Sequence, residues 1–110
     1  MGLEVNMCIK QDTVFTRFKG ELDEMSVTDI RAKLCEILRK YDVKNIVFNM
    51  RDLSFMDSTG IGMIIGRYNQ VKEKCGKIIL CDLNQNIEKI IVMSGLLKIC
   101  TLRDSEASAR

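Results

Sequence analysis

Between Arg51 and Gly62 the chain reads Arg-Asp-Leu-Ser-Phe-Met-Asp-Ser-Thr-Gly-Ile-Gly. Within this run Asp57, Ser58 and Thr59 place a carboxylate and two hydroxyls directly ahead of two glycines, Gly60 and Gly62. Short polar side chains at a helix start satisfy backbone N–H groups that have no acceptor inside the helix. An accessible hydroxyl can also accept a phosphoryl group, because the kinase that donates it brings the catalytic machinery. Capping alone does not call for the glycines, each of which costs about 1 kcal/mol relative to alanine inside a helix. Close packing of this turn would explain them, and so would a partner surface or phosphate that approaches the backbone. The residues weigh these two explanations evenly.

Other chemistries fit poorly. Histidine is absent, so no Ser-His pair is available, and the motif is not Gly-x-Ser-x-Gly. Gly60, Gly62 and Gly66 lack the Lys-Ser/Thr ending of a phosphate-binding P-loop, and their spacing misses the dinucleotide fingerprint. A nucleotide-binding enzyme is therefore a remote alternative, and the expectation is a protein that is not an enzyme and uses no cofactor.

The run must be held by the elements around it. Leu3, Val5, Met7 and Ile9 alternate with polar residues in the two-residue period of a strand, and Thr13 to Lys19 returns as its hairpin partner after a turn at Gln11 and Asp12. From Ser26 the period becomes helical, with Val27, Ile30, Leu34, Ile37 and Leu38 on one face. Ser26 and Asp29 are spaced as a capping box. Lys44 to Met50 reads as a strand covered on both faces. A second helix spans about Ser58 to Cys75, with Ile61, Ile64, Ile65, Tyr68, Val71 and Cys75 inward, Arg67 and Asn69 solvated, and Gly76 as its stop. Lys72 and Lys74 suit its C-terminal end. Lys77 to Asp82 is a buried strand, Asn84 to Ser94 a helix ended by Gly95, and Lys98 to Leu102 a short strand. The order ββαβαβαβ implies an α/β fold: one domain over residues 1–110 with a mixed, mainly parallel sheet of about five strands. The tail after Asp104 is either frayed or the start of another helix.

Composition sets the class. At 110 residues the chain builds one core, and 46% hydrophobic with 29% charged residues is ordinary for a globular domain. Seventeen basic against fifteen acidic residues give a net charge of +2 with no dense basic run, which offers nothing to nucleic acid. No apolar stretch approaches the roughly 20 residues that span a bilayer, and the first ten residues do not read as a secretory signal. Five cysteines, Cys8, Cys35, Cys75, Cys81 and Cys100, contain no C-x-x-C pair, and without histidine they predict buried thiols in a reducing cytoplasm and no metal site.

The string Asp57-Ser58-Thr59-Gly60-Ile61-Gly62 resembles the signature of the anti-anti-sigma factors, the bacterial relatives of the STAS domain, and specifically those of the sporulation type. The likeness extends through Phe55-Met56, Ile64-Ile65-Gly66-Arg67-Tyr68, Gly20-Glu21-Leu22-Asp23 and Met93-Ser94-Gly95-Leu96, so it covers nearly the whole chain. Glu24-Met25 stands where relatives often carry a histidine pair, and the family's C-terminal helix is shortened.

The resemblance implies a STAS domain whose unphosphorylated form binds an anti-sigma factor that is also a serine kinase, and so frees a sporulation sigma factor. Phosphorylation of Ser58 ends the binding and a serine phosphatase restores it. Asp23 and Met25 would dock the partner together with Met56, Asp57, Thr59, Gly60, Ile61 and Gly62. For Met56 and Ile61, core packing is the competing role, and Thr59 is a competing hydroxyl. A STAS protein of another, stress-response sigma circuit is the alternative.

Overall fold

A computed structural model describes residues 2–109. Among them β1 (Leu3–Lys10) and β2 (Thr13–Leu22) form a hairpin, followed by α1 (Val27–Lys40), β3 (Asn45–Met56), α2 (Ser58–Glu73), β4 (Ile78–Cys81), α3 (Gln85–Ser94) and β5 (Thr101–Arg103). The strands lie side by side in chain order, with β1 antiparallel to β2 and every later pair parallel. The expected ββαβαβαβ order and mixed five-stranded sheet are what the chain forms. The last strand is shorter than expected, because Leu96–Lys98 coil into a 3-10 turn before it.

Alternation along the central strand sorts the two faces. Ile46, Phe48 and Met50 point into a core shared with Leu34 and Ile37 of α1, Ile64 and Val71 of α2, and Ile87 and Ile91 of α3. Phe18 stacks on Phe48 there, with ring centroids 5.6 Å apart. Val47 points the other way, into a smaller cluster with Phe15, Ile79, Cys81 and Ala109. That second face is roofed by the tail. Glu106 accepts two bonds from Arg17, at 2.6 and 2.9 Å, and its backbone N–H donates to Asp82. The tail, expected either to fray or to begin another helix, forms one 3-10 turn, Ala107–Ala109.

Helix α2 is turned about its axis relative to the expected stripe. Its buried residues are Gly60, Met63, Ile64, Arg67 and Val71, while Ile65 and Cys75 are exposed. The cause is that α2 packs on α1 as well as on the sheet, which rotates the inward arc toward α1. Arg67, expected in solvent, is 7% exposed, and its Nε donates to Gln70 at 2.6 Å. Gln70 in turn accepts the Cys35 thiol at 3.6 Å. Burial lowers the Arg67 pKa, and one terminal nitrogen of its guanidinium is buried with no hydrogen-bond partner among the described residues. Lys74 crosses to the end of α1, where its ammonium donates to the carbonyl of Leu38 in the helix and to that of Val43 beyond it.

The stop of α2 also differs in its chemistry. The left-handed residue is Cys75, at φ 60°, and not Gly76. Gly76 is needed for space, since a Cβ there would lie 1.6 Å from the Lys44 carbonyl oxygen. The cysteines divide accordingly: Cys81 and Cys100 are buried, with burial pushing each thiol up to about 12, but Cys8 and Cys75 are exposed and Cys35 is half-buried. Cys8 lies on an edge strand and Cys75 in a turn, positions that apolar periodicity does not distinguish from the core.

Candidate functional site

Strand β3 is much longer than β4. Its first part pairs with both neighbours, whereas from Asp52 to Met56 it pairs only with Lys19 to Leu22 of β2. The two strand ends therefore project together and deliver two loops side by side, Asp23–Ser26 after β2 and Asp57 after β3. Leu22 sits opposite Met56, and the Asp57 N–H donates to the Leu22 carbonyl at 3.3 Å.

Asp57 caps α2. Its Oδ1 accepts the backbone N–H groups of Thr59 (3.0 Å) and Gly60 (3.2 Å), and also the Thr59 hydroxyl. The Thr59 hydroxyl, with the backbone N–H groups around it, holds the Asp57 carboxyl below its usual range against the opposing effect of burial. With Oδ1 accepting at the start of α2, the carboxylate serves as the helix cap.

The two hydroxyls are thereby separated. Thr59 is half-buried and spends its proton on Asp57. Ser58, the first residue of α2, is exposed, and its hydroxyl makes no hydrogen bond among the described residues. The glycines separate as well. A Cβ on Gly60 would lie 2.7 Å from Met56 Cγ and 3.0 Å from the Leu22 carbonyl, whereas one on Gly62 would meet nothing within 4 Å. Close packing thus accounts for Gly60, while Gly62 lines open surface beside Ser58.

Asp23 has a local task. Its Oδ1 accepts the N–H groups of Met25 and Ser26, each at 3.1 Å, and its own N–H donates to the Ser26 hydroxyl at 3.0 Å. Ser26 donates in turn to the Glu21 carbonyl at 2.9 Å. The expected Ser26–Asp29 capping box does not form, because the serine is turned back into this loop and gives α1 no side-chain cap. The loop presents Met25, 89% exposed, toward solvent.

Of the residues expected at the site, Asp23, Met25, Asp57, Ser58, Thr59 and Gly62 surround the paired loops, and Ile61 is half-buried against the core. Met56, at 2% exposed, and Gly60 lie beneath the site; they support it from the core and offer no surface to a partner. Phe55, which sequence reasoning passed over, is 45% exposed beside Glu21. Strand alternation was the available signal, since Met56 inward sets Phe55 outward.

The STAS domain family matches residues 4–109. Over 109 residues the chain is 34% identical to an anti-sigma F factor antagonist of Paenibacillus polymyxa, covering 99% of this chain and 93% of the relative. An anti-sigma-B factor antagonist of Bacillus subtilis is 28% identical over 99 residues, covering 90% and 89%. The solved structure of the Bacillus cell fate determinant SpoIIAA in the phosphorylated form superposes with a TM-score of 0.77 at 32% identity, over 96% of both chains. With the family matched from the first strand to the tail, and the paired loops in place at one end of the sheet, the chain belongs to the STAS domain family.

Proposed function

We propose that this protein is an anti-sigma factor antagonist switched by phosphorylation of Ser58. Unphosphorylated, it binds an anti-sigma factor that is also a serine kinase, through Met25, Phe55, Asp57, Thr59, Ile61 and Gly62 around Ser58, and so frees a sporulation sigma factor in the cytoplasm. The bound kinase transfers the γ-phosphoryl of ATP to Ser58 Oγ, whose proton is lost as ADP departs. A serine phosphatase hydrolyses the ester and resets the switch. The protein is acceptor and ligand in this cycle, not catalyst.

The observation that carries the reading is that, of two adjacent hydroxyls, only that of Ser58 is exposed and unengaged. Its phosphate would leave the fold intact. Asp57 already occupies the Thr59 and Gly60 N–H groups, so a phosphate stays outside the cap, in solvent. At an interface it brings roughly −1.5 to −2 charges that must be desolvated. Against a fixed negative group about 4 Å away, each unit-charge pair costs on the order of 4 kcal/mol at an effective dielectric of 20. A third of that weakens binding about tenfold. Release is therefore local obstruction.

Incubation with ATP and a sporulation-type anti-sigma kinase, followed by intact-mass analysis, tests the assignment. One phosphoryl group on wild type and on Thr59→Ala, and none on Ser58→Ala, is the expected pattern. Modification that persists in Ser58→Ala refutes the site. The 28% identity to an anti-sigma-B factor antagonist favours a stress-response kinase as the second reading, and phosphorylation by that kinase alone would select it.

A further inference from the structure

The first strand lies at one edge of the sheet, and what that edge offers is not used by the switch. Strand β1 runs eight residues with no register shift against β2 and contains no proline. The Gln11–Asp12 turn closes on the Lys10–Thr13 pair, which sets the alternation of the antiparallel ladder. Even-numbered residues of β1 direct their N–H and C=O groups to β2, and those of Leu3, Val5, Met7 and Ile9 point away from the sheet. Such an edge is a template for another strand unless bulges, proline or charged side chains blunt it, and the two charges on this strand, Glu4 and Lys10, are of opposite sign.

We infer that β1 receives a second copy of this chain, antiparallel across a twofold axis at Met7. In that register Val5 of each copy faces Ile9 of the other, and Met7 faces Met7, so the outward backbone groups meet their complements. On the other side of the strand Glu4 faces Lys10 of the second copy, twice by symmetry, and Asn6 faces Cys8. Glu4, Asn6, Cys8 and Lys10 are all exposed, and Ile9 is 38% exposed in the single chain. Alternative twofold registers lose the charge match: an axis at Val5 sets Glu4 against Asn6, and one at Asn6 sets Glu4 against Cys8. The two charges of β1 thus stand at equal distances on either side of Met7 with opposite sign, which favours self-pairing where like charges would forbid it. The result is one sheet continuous through both copies. Ser58 follows β3, two strands from this edge, and stays open in the pair.

Sedimentation equilibrium of the full chain under reducing conditions tests the inference independently of any kinase. A reversible monomer–dimer equilibrium is expected, weakened at least about tenfold by Glu4→Lys and restored by Glu4→Lys with Lys10→Glu. Oxidation of the Asn6→Cys variant should link the introduced thiol to Cys8 of the second copy, seen as a dimer on a non-reducing gel and as one joined peptide pair by mass spectrometry. This variant decides the matter if Glu4→Lys fails to fold. A chain that stays monomeric at the highest soluble concentration, a dimer indifferent to Glu4→Lys, or no disulfide between the introduced thiol and Cys8 would each overturn the pairing.

Discussion

The two loops at the end of β2 and β3 solve the same problem with the same side chain and present opposite things. In each, one aspartate oxygen accepts two backbone N–H groups: Met25 and Ser26 for Asp23, Thr59 and Gly60 for Asp57. Each aspartate also engages a neighbouring hydroxyl, Ser26 in the first loop and Thr59 in the second. What remains outside the network is Met25 in one loop and Ser58 in the other. A rigid turn holds out an apolar side chain beside a second that holds out a reactive one. The difference teaches that each aspartate first positions its own loop, whatever it then offers a partner, and that the side chain its hydrogen bonds omit is the one left free, apolar in one loop and reactive in the other.

Substitutions can break this comparison in order of severity. Gly60→Ala should hurt most, because its Cβ meets Met56 and the Leu22 carbonyl that seats one loop against the other. A loss of about 1–3 kcal/mol is expected in urea unfolding. Asp57→Ala should cost about 1 kcal/mol as a lost helix cap, and Asp23→Ala, which removes no cap from α1, should cost less. Equal losses would show that the two turns are not distinguished by the helix that follows.

Gly62→Ala should leave stability unchanged or raise it by up to about 1 kcal/mol, since its site is empty and alanine favours the helix. Met25→Ala should change unfolding by less than about 0.5 kcal/mol while weakening the complex with the kinase. Unchanged affinity would remove Met25 from the interface.

Acid sharpens the same contrast. The folded-state pKa of Asp57 is lowered from 3.8, so its contribution to stability is fully present above that value and is lost as pH falls through the lower folded pKa. Asp57→Asn keeps an acceptor for the N–H groups but cannot titrate. The gap between wild type and this variant should therefore close as the solution is taken below the usual carboxylate range, measured as the midpoint of thermal unfolding.

Much of this was legible in the residues. Strand alternation and the change to a helical period set out the strands and helices in their order, and Asp57-Ser58-Thr59 marked the helix start, but β3, expected to end at Met50, runs on to Met56 because β2 continues to pair with it. What was not legible depends on contacts between distant segments. The azimuth of α2 follows from its packing on α1, which no local period reports, so Arg67 was placed in water and Cys75 in the core. Gly60 and Gly62 are alike in sequence and separate only when Met56 and Leu22 are seen beneath one of them. Ser26 fits a cap by spacing, but Asp23 and the Glu21 carbonyl compete for its hydroxyl and win.

Lys74 carries one further consequence. From the end of α2 it binds one carbonyl in the last turn of α1, that of Leu38, and one in the segment that follows, that of Val43, so fraying at the end of α1 leaves an acceptor and the Lys74 ammonium without each other. Native-state hydrogen exchange is expected to show the last turns of the two helices opening together, and separate opening in Lys74→Met.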